Sequence, residues 1–153
     1  MKVLFCAAEM APLVKVGGLG ETAGSLTQVL TLRGHDVRAI VPLYGCIDRL
    51  RHGVEPTDVT YAVLIGGKKE PVKLWEARLG VDVLVYLVEH EGYFGGPQVY
   101  TPHDLDRFYY FSRASLELLR YADWRPDILH CHDWHTGAAV SHLKSDFRGD
   151  PLY

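Results

Sequence analysis

Between residues 15 and 21 the chain reads Lys15-Val16-Gly17-Gly18-Leu19-Gly20-Glu21, a lysine, three glycines and an acid set between an apolar run and a helical pattern. Glycine lets the backbone come close to a ligand, and the helix that follows turns its unpaired N–H groups toward the same point. An anion there gains hydrogen bonds and the positive end of the helix dipole, while Lys15 adds a full charge. The segment has the chemistry of a phosphate cradle; read structurally, the glycines only let a helix begin and Lys15 is a surface charge. Near the other end, His130-Cys131-His132-Asp133-Trp134-His135 gathers three imidazoles, a thiol and a carboxylate. On a strand His130 and His132 face one side and Cys131 the other, and His135 lies past a turn. A tetrahedral metal site would have to borrow ligands from elsewhere, and no metal is expected. Tyr93, Phe94 and Trp134 can stack on a sugar or base, or simply close their loops. Asp104 and Asp106 flank Leu105 at the start of a helical segment, where they suit a cap and a partner for the dipole.

Gly18-Leu19-Gly20-Glu21-Thr22-Ala23 also satisfies the dinucleotide fingerprint. Its mechanics argue against that use, because the first glycine of the fingerprint makes the tight turn directly after the first strand and an acid ends the second strand. Here a longer stretch separates the strand from Gly17, and Asp36 precedes the second strand. No Ser-His-Asp order, zinc-protease motif or Walker lysine occurs.

The elements that must hold these residues follow from periodicity. Residues 2–8 form an apolar run without alternation, as expected of a parallel strand covered on both faces at the centre of a sheet. Ala23, Leu26, Val29, Leu30 and Leu32 recur at helical spacing and Gly34 stops the segment, which predicts a helix over 21–33. Val37 to Val41 is a second strand ended by Pro42, so the opening unit is βαβ with a right-handed crossover. Stretches 58–65, 71–78 and 82–88, separated by Gly66-Gly67 and Leu79-Gly80, carry strand and hairpin signals and predict a small antiparallel insertion. A helix over about 104–121 has Phe108, Phe111, Ala114, Leu118 and Leu119 on one face. A strand at 126–131, the turn His132 to His135 and a helix from Thr136 to Phe147 complete the chain. Ligands of open α/β sheets bind beyond the carboxyl ends of the strands, so Lys15 and His135 are expected to converge on one crevice.

With 153 residues, 48% of them hydrophobic, the chain can bury one core of ordinary size, and one domain over 1–153 is expected. A net charge of −3 with no basic cluster gives no electrostatic footprint for nucleic acid. Cys6, Cys46 and Cys131 are an odd number without metal-knuckle spacing, which fits reduced thiols and a cytoplasmic location. The apolar start is short and interrupted by Glu9, unlike a signal peptide, and no stretch approaches the roughly 18 apolar residues of a membrane helix. A soluble protein with no membrane partner is expected.

Taken together, the residues resemble one family: the bacterial-type glycogen and starch synthases, retaining glucosyltransferases of the GT-B fold. The marks are Ala8-Glu9-Met10-Ala11-Pro12 through Gly20, Gly34-His35-Asp36-Val37 with Pro42-Leu43-Tyr44, Arg107 to Ala114, and Arg125 to His130 through His132-Asp133-Trp134-His135-Thr136-Gly137. The resemblance implies a Rossmann-like parallel sheet with helices on both faces, and transfer of glucose from ADP-glucose or UDP-glucose to the non-reducing end of an α-1,4-glucan without a cofactor. It makes Lys15, Gly17, Gly18 and Trp134 substrate-binding, with His135, Glu21 and Asp104 catalytic and His135 beside the transferred glucose. Glu21 stands where the family usually has Asp. His103 stands where it tends to have an acid, with Asp104 one position later. The chain resembles most of the first of two domains. The second would supply the nucleotide pocket and the cations that neutralise the diphosphate, so this half alone is expected to be inactive. An unpaired strand near 127–131 would then favour self-association. A freestanding nucleotide-sugar or glucan binding module and a dinucleotide-binding protein are the alternatives.

Overall fold

A computed structural model describes residues 1–153. Four strands build its parallel part: β1 (Lys2–Cys6), β2 (Asp36–Pro42), β5 (Val83–Glu89) and β6 (Ile128–Cys131); β3 (Glu55–Ile65) and β4 (Lys68–Leu79) are antiparallel. All six form one sheet in the order β3-β4-β5-β2-β1-β6. β1 pairs with β2 and β6 on its two sides, which is why Leu4, Phe5 and Cys6 are fully buried and the run shows no alternation.

The antiparallel insertion is smaller than the strand signals suggest. Only β3 and β4 are added, because β5 pairs with β4 on one edge and parallel to β2 on the other. Gly66 and Gly67, with φ of 55° and 80°, make the two-residue turn between β3 and β4, where both positions need the left-handed region. The hairpin is fastened to the long helix: the Tyr61 hydroxyl donates to the Ala114 carbonyl at 2.7 Å, and that of Tyr110 to the Pro71 carbonyl at 2.6 Å.

Helix α1 (Gly18–Leu32) packs on β2 and β5, and α3 (Asp104–Glu117) packs on β3 and β5. The β1-to-β2 and β5-to-β6 crossovers run in opposite directions across the sheet, so right-handed connections set α1 and α3 on opposite faces. α1 starts at Gly18, three residues before the expected boundary, because Gly17 is extended and serves as its cap. α3 tightens into a 3-10 turn at Leu118–Arg120. The expected loop at 91–97 contains a single-turn helix, α2 (Glu91–Phe94), and the last helix divides into a 3-10 turn at Trp134–Thr136 and α4 (Gly137–Lys144). No helix is long and apolar enough to cross a membrane.

Candidate functional site at the carboxyl ends of the strands

The loops that leave β1, β5 and β6 meet above the sheet around one carboxylate. Glu9, three residues past β1, is only 2% exposed. Its Oε2 accepts from the backbone N–H of Val16 and, at 3.2 Å, from that of Gly17; its Oε1 accepts from the Tyr100 hydroxyl at 2.5 Å. A buried carboxylate is tolerated because donors surround it. The Tyr100 ring lies 5.1 Å from that of His135, so Glu9 and Tyr100 bridge the glycine turn and the turn after β6. Burial and the bond to Glu9 push the Tyr100 hydroxyl well above its ordinary pKa, which keeps it a donor.

The three glycines of the turn serve two purposes. A Cβ on Gly20 would come within 2.9 Å of Glu9 Oε2 and 3.1 Å of the Val14 carbonyl, so Gly20 is small to let α1 lie against the preceding loop. A Cβ on Gly17 or Gly18 would meet nothing within 4 Å, and neither residue has a positive φ. Packing and backbone conformation therefore give no reason for glycine at 17 and 18. Gly17, the cap of α1, has no side chain to bond the helix's free N–H groups, and its own N–H is taken by Glu9. Lys15 is half-exposed, with its ammonium on the Glu21 carboxylate. That lysine holds Glu21 below the usual carboxylate range. Solvent screens a pair this exposed, so Lys15 can exchange Glu21 for a stronger anion at small cost.

The turn after β6 is built to fix His135. Asp133 has φ of 66° and accepts from the Trp134 N–H at 2.6 Å, a strained non-glycine conformation of the kind found at functional sites. Thr136 donates to the His132 carbonyl at 3.1 Å. His135 is buried, stacked under Trp134 with ring centroids 4.1 Å apart, and edge-on to Phe108 at 4.7 Å. Its Nδ1 is buried without a partner. Burial lowers its pKa, against the opposing pull of Asp133, Asp104 and Glu9, so the ring is held neutral. Trp134 is 55% exposed and offers the open face of an aromatic ring. His130 and His132 lie on one side of β6 against Phe5, with His130 stacked on it at 4.2 Å, while Cys131 faces the other way as strand geometry requires.

Asp104 sits in the first turn of α3. Its Oδ1 accepts from the Thr101 N–H at 2.9 Å and from Arg107 Nη1 at 2.5 Å. Arg107, 4% exposed, also donates to the carbonyls of Tyr93 at 2.6 Å and Val99 at 3.0 Å. This pair staples the loop that carries Tyr100 to α3. His103 is exposed and lines a neighbouring crevice with Tyr93, Gln98, Asp106 and Arg107. Asp36 lies at the opposite end of the sheet, where it accepts from Trp124 Nε1 at 2.7 Å, so it is far from any ribose at the glycine turn.

Glu9, Tyr100 and Arg107 are the parts of the site that reasoning from the sequence did not assign. A lone carboxylate inside the apolar run 3–10 was a signal for Glu9, since such a group must be paired. Tyr100 carried none.

The model of the starch synthase catalytic domain matches residues 2–153. The chain belongs to the starch synthase catalytic domain family. It is 39% identical over 160 residues to glycogen synthase 1 of Geobacter sulfurreducens, covering 99% of this chain and 32% of that protein. It is 46% identical over 148 residues to the glycogen synthase of Gloeobacter violaceus, covering 95% and 31%. The catalytic domain of starch synthase IV from Arabidopsis thaliana, bound to ADP and acarbose, superposes with a TM-score of 0.90 at 35% identity, over 99% of this chain and 31% of that one. The chain thus spans about a third of the length of the relatives it matches. The fold is that of the corresponding part of a GT-B starch synthase domain.

Proposed function

We propose that this chain is the acceptor-side part of a glycogen or starch synthase that transfers glucose from ADP-glucose to the non-reducing end of an α-1,4-glucan with retention of configuration. The observation that carries the reading is the pair of glycines that nothing inside the chain requires, at the open end of α1 and next to an exchangeable lysine. In this reading the vacant space at Gly17 and Gly18 takes the diphosphate, with Lys15 leaving Glu21 to meet it. The ADP named in the Arabidopsis structure supports an adenine nucleotide as carrier. Glu21 positions Lys15 until the donor binds. His135, neutral and with a free Nδ1, lies beside the transferred glucose, and Trp134 supplies a stacking face for sugar. Asp104 acts through Arg107 by holding the Tyr100 loop.

The chemistry needs no metal when fixed cations and amides stabilise the charge that develops on the departing phosphates. Donors aimed there are stronger partners in the transition state than in the ground state, each worth about 2–4 kcal/mol. Lys15→Ala in an enzyme carrying both lobes lowers turnover by roughly a hundredfold or more; an unchanged rate removes the cradle assignment. Titration of the chain by itself gives at most weak ADP-glucose binding. Tight binding of nucleotide sugar or glucan identifies a freestanding module, and preference for NAD a dinucleotide protein. β6 is an edge strand with Ile128 exposed, so the chain self-associates as its concentration rises; a constant monomer mass in light scattering refutes this.

A further inference from the structure

We infer that Cys6 and Cys131 are a dithiol pair that closes to a reversible disulfide across β1 and β6, a modification site independent of the transferase reading. The two residues are direct partners in the parallel ladder, held in register by the His132 N–H bonded to the Cys6 carbonyl at 2.9 Å. Neighbouring strands lie about 4.8 Å apart, inside the range of about 4.4–6.8 Å that Cα atoms of a disulfide span, and paired residues point their side chains to the same face. That face is opposite His130 and His132, under Ser115 of α3 and beside Thr136.

The thiols are unequal in the way an attacking and a resolving cysteine must be. Cys6 is fully buried, and Cys131 is half-buried at the open end of an edge strand. The neighbouring Cys6 thiol lowers the pKa of Cys131, and the proximity of Cys131, with burial, raises that of Cys6. With a low-molecular-weight disulfide such as oxidised glutathione, the Cys131 thiolate attacks one sulfur and expels a glutathione thiolate. Cys6 then loses its proton, attacks the Cys131 sulfur of the mixed disulfide and expels the second glutathione thiolate. Two protein thiols are oxidised and one small disulfide is reduced to two thiols. The bridge draws the Cβ atoms to about 3.5–4.5 Å, closer than a relaxed parallel ladder holds them, and a strained bond of this kind is readily reduced again. Because Cys6 leads into the Glu9 loop and Cys131 into the turn carrying His135, the same contraction is felt at both sides of the site.

The test uses the chain with Cys46→Ser, which leaves two of its three cysteines. Oxidised glutathione is expected to remove both free thiols and lower the intact mass by about 2 Da, with full reversal by dithiothreitol. Adding Cys6→Ser is expected to stop the reaction at the glutathione adduct of Cys131. Persistence of both thiols, an unresolved adduct with Cys6 present, or a dimer linked between chains would each overturn the inference. If Cys46→Ser fails to fold, peptide mapping of the oxidised unmodified chain decides the matter by the presence or absence of a Cys6–Cys131 cross-link.

Discussion

Gly18→Ala is the substitution that separates the demands of the ligand from those of the fold. In the chain the added methyl meets open space, and φ at this position is not in the left-handed region. Alanine restricts the unfolded chain and favours helix, an effect of about 0.4–1 kcal/mol that is smaller at a first helical position. Folding is therefore expected to gain about 0.5 kcal/mol, or about 1–2 °C in Tm for a chain of this size. Gly45→Ala provides the contrast. Its Cβ would fall 2.1 Å from the Gly95 carbonyl oxygen and 2.8 Å from that carbonyl's carbon, in a turn where the Gly45 N–H bonds to the carbonyls of Phe94 at 2.9 Å and Gly96 at 3.1 Å. Backbone must move and those bonds stretch, for a loss of about 2–4 kcal/mol and about 4–16 °C. At the site the signs reverse. A methyl at Gly18 occupies space assigned to a phosphate oxygen, so in an enzyme with both lobes ADP affinity falls tenfold or more, about 1.4 kcal/mol. Thermal denaturation followed by circular dichroism and isothermal titration with ADP measure the two effects. Gly18→Ala melting several degrees lower would make that glycine structural. Unchanged ADP affinity would leave the open space without its ligand.

Glu9→Ala strands the Val16 and Gly17 amides and the Tyr100 hydroxyl, and is expected to cost about 3–5 kcal/mol in denaturant unfolding, against about 1–2 kcal/mol for Glu9→Gln, which keeps an acceptor; equal losses for the two would show that the charge decides and the retained acceptor and volume do not. Burial holds His135 and His130 below the ordinary histidine pKa of about 6.5, so the unfolded chain binds their protons first. The stability they contribute is fully present above about pH 6.5 and is lost as pH falls through that value toward their folded pKa values. Tm is expected to drop between pH 7 and pH 5, with a shallower slope in His135→Gln; identical slopes would mean His135 titrates as it does in the unfolded chain.

The opening βαβ unit was legible in the sequence because its signals are local: a non-alternating apolar run, a helical repeat closed by Gly34, and a strand stopped by Pro42. The opposite facing of His130 and Cys131 was legible for the same reason, since pleating alternates side chains whatever surrounds the strand. Tertiary structure alone decided that β5 belongs to the parallel sheet, because strand partners are chosen by burial across the whole sheet and the same residues suit either edge. It alone divided the glycines, giving Gly20 to packing against Glu9 and leaving Gly17 and Gly18 open, since a missing Cβ is explained only by what would occupy its place. Glu9 lies 91 residues from Tyr100 along the chain, and the bonds that join it, Tyr100 and Arg107 into one support exist only after β1, β5 and α3 have come together. Periodicity records which face of an element is buried; it carries no record of which distant polar group will satisfy a charge enclosed there.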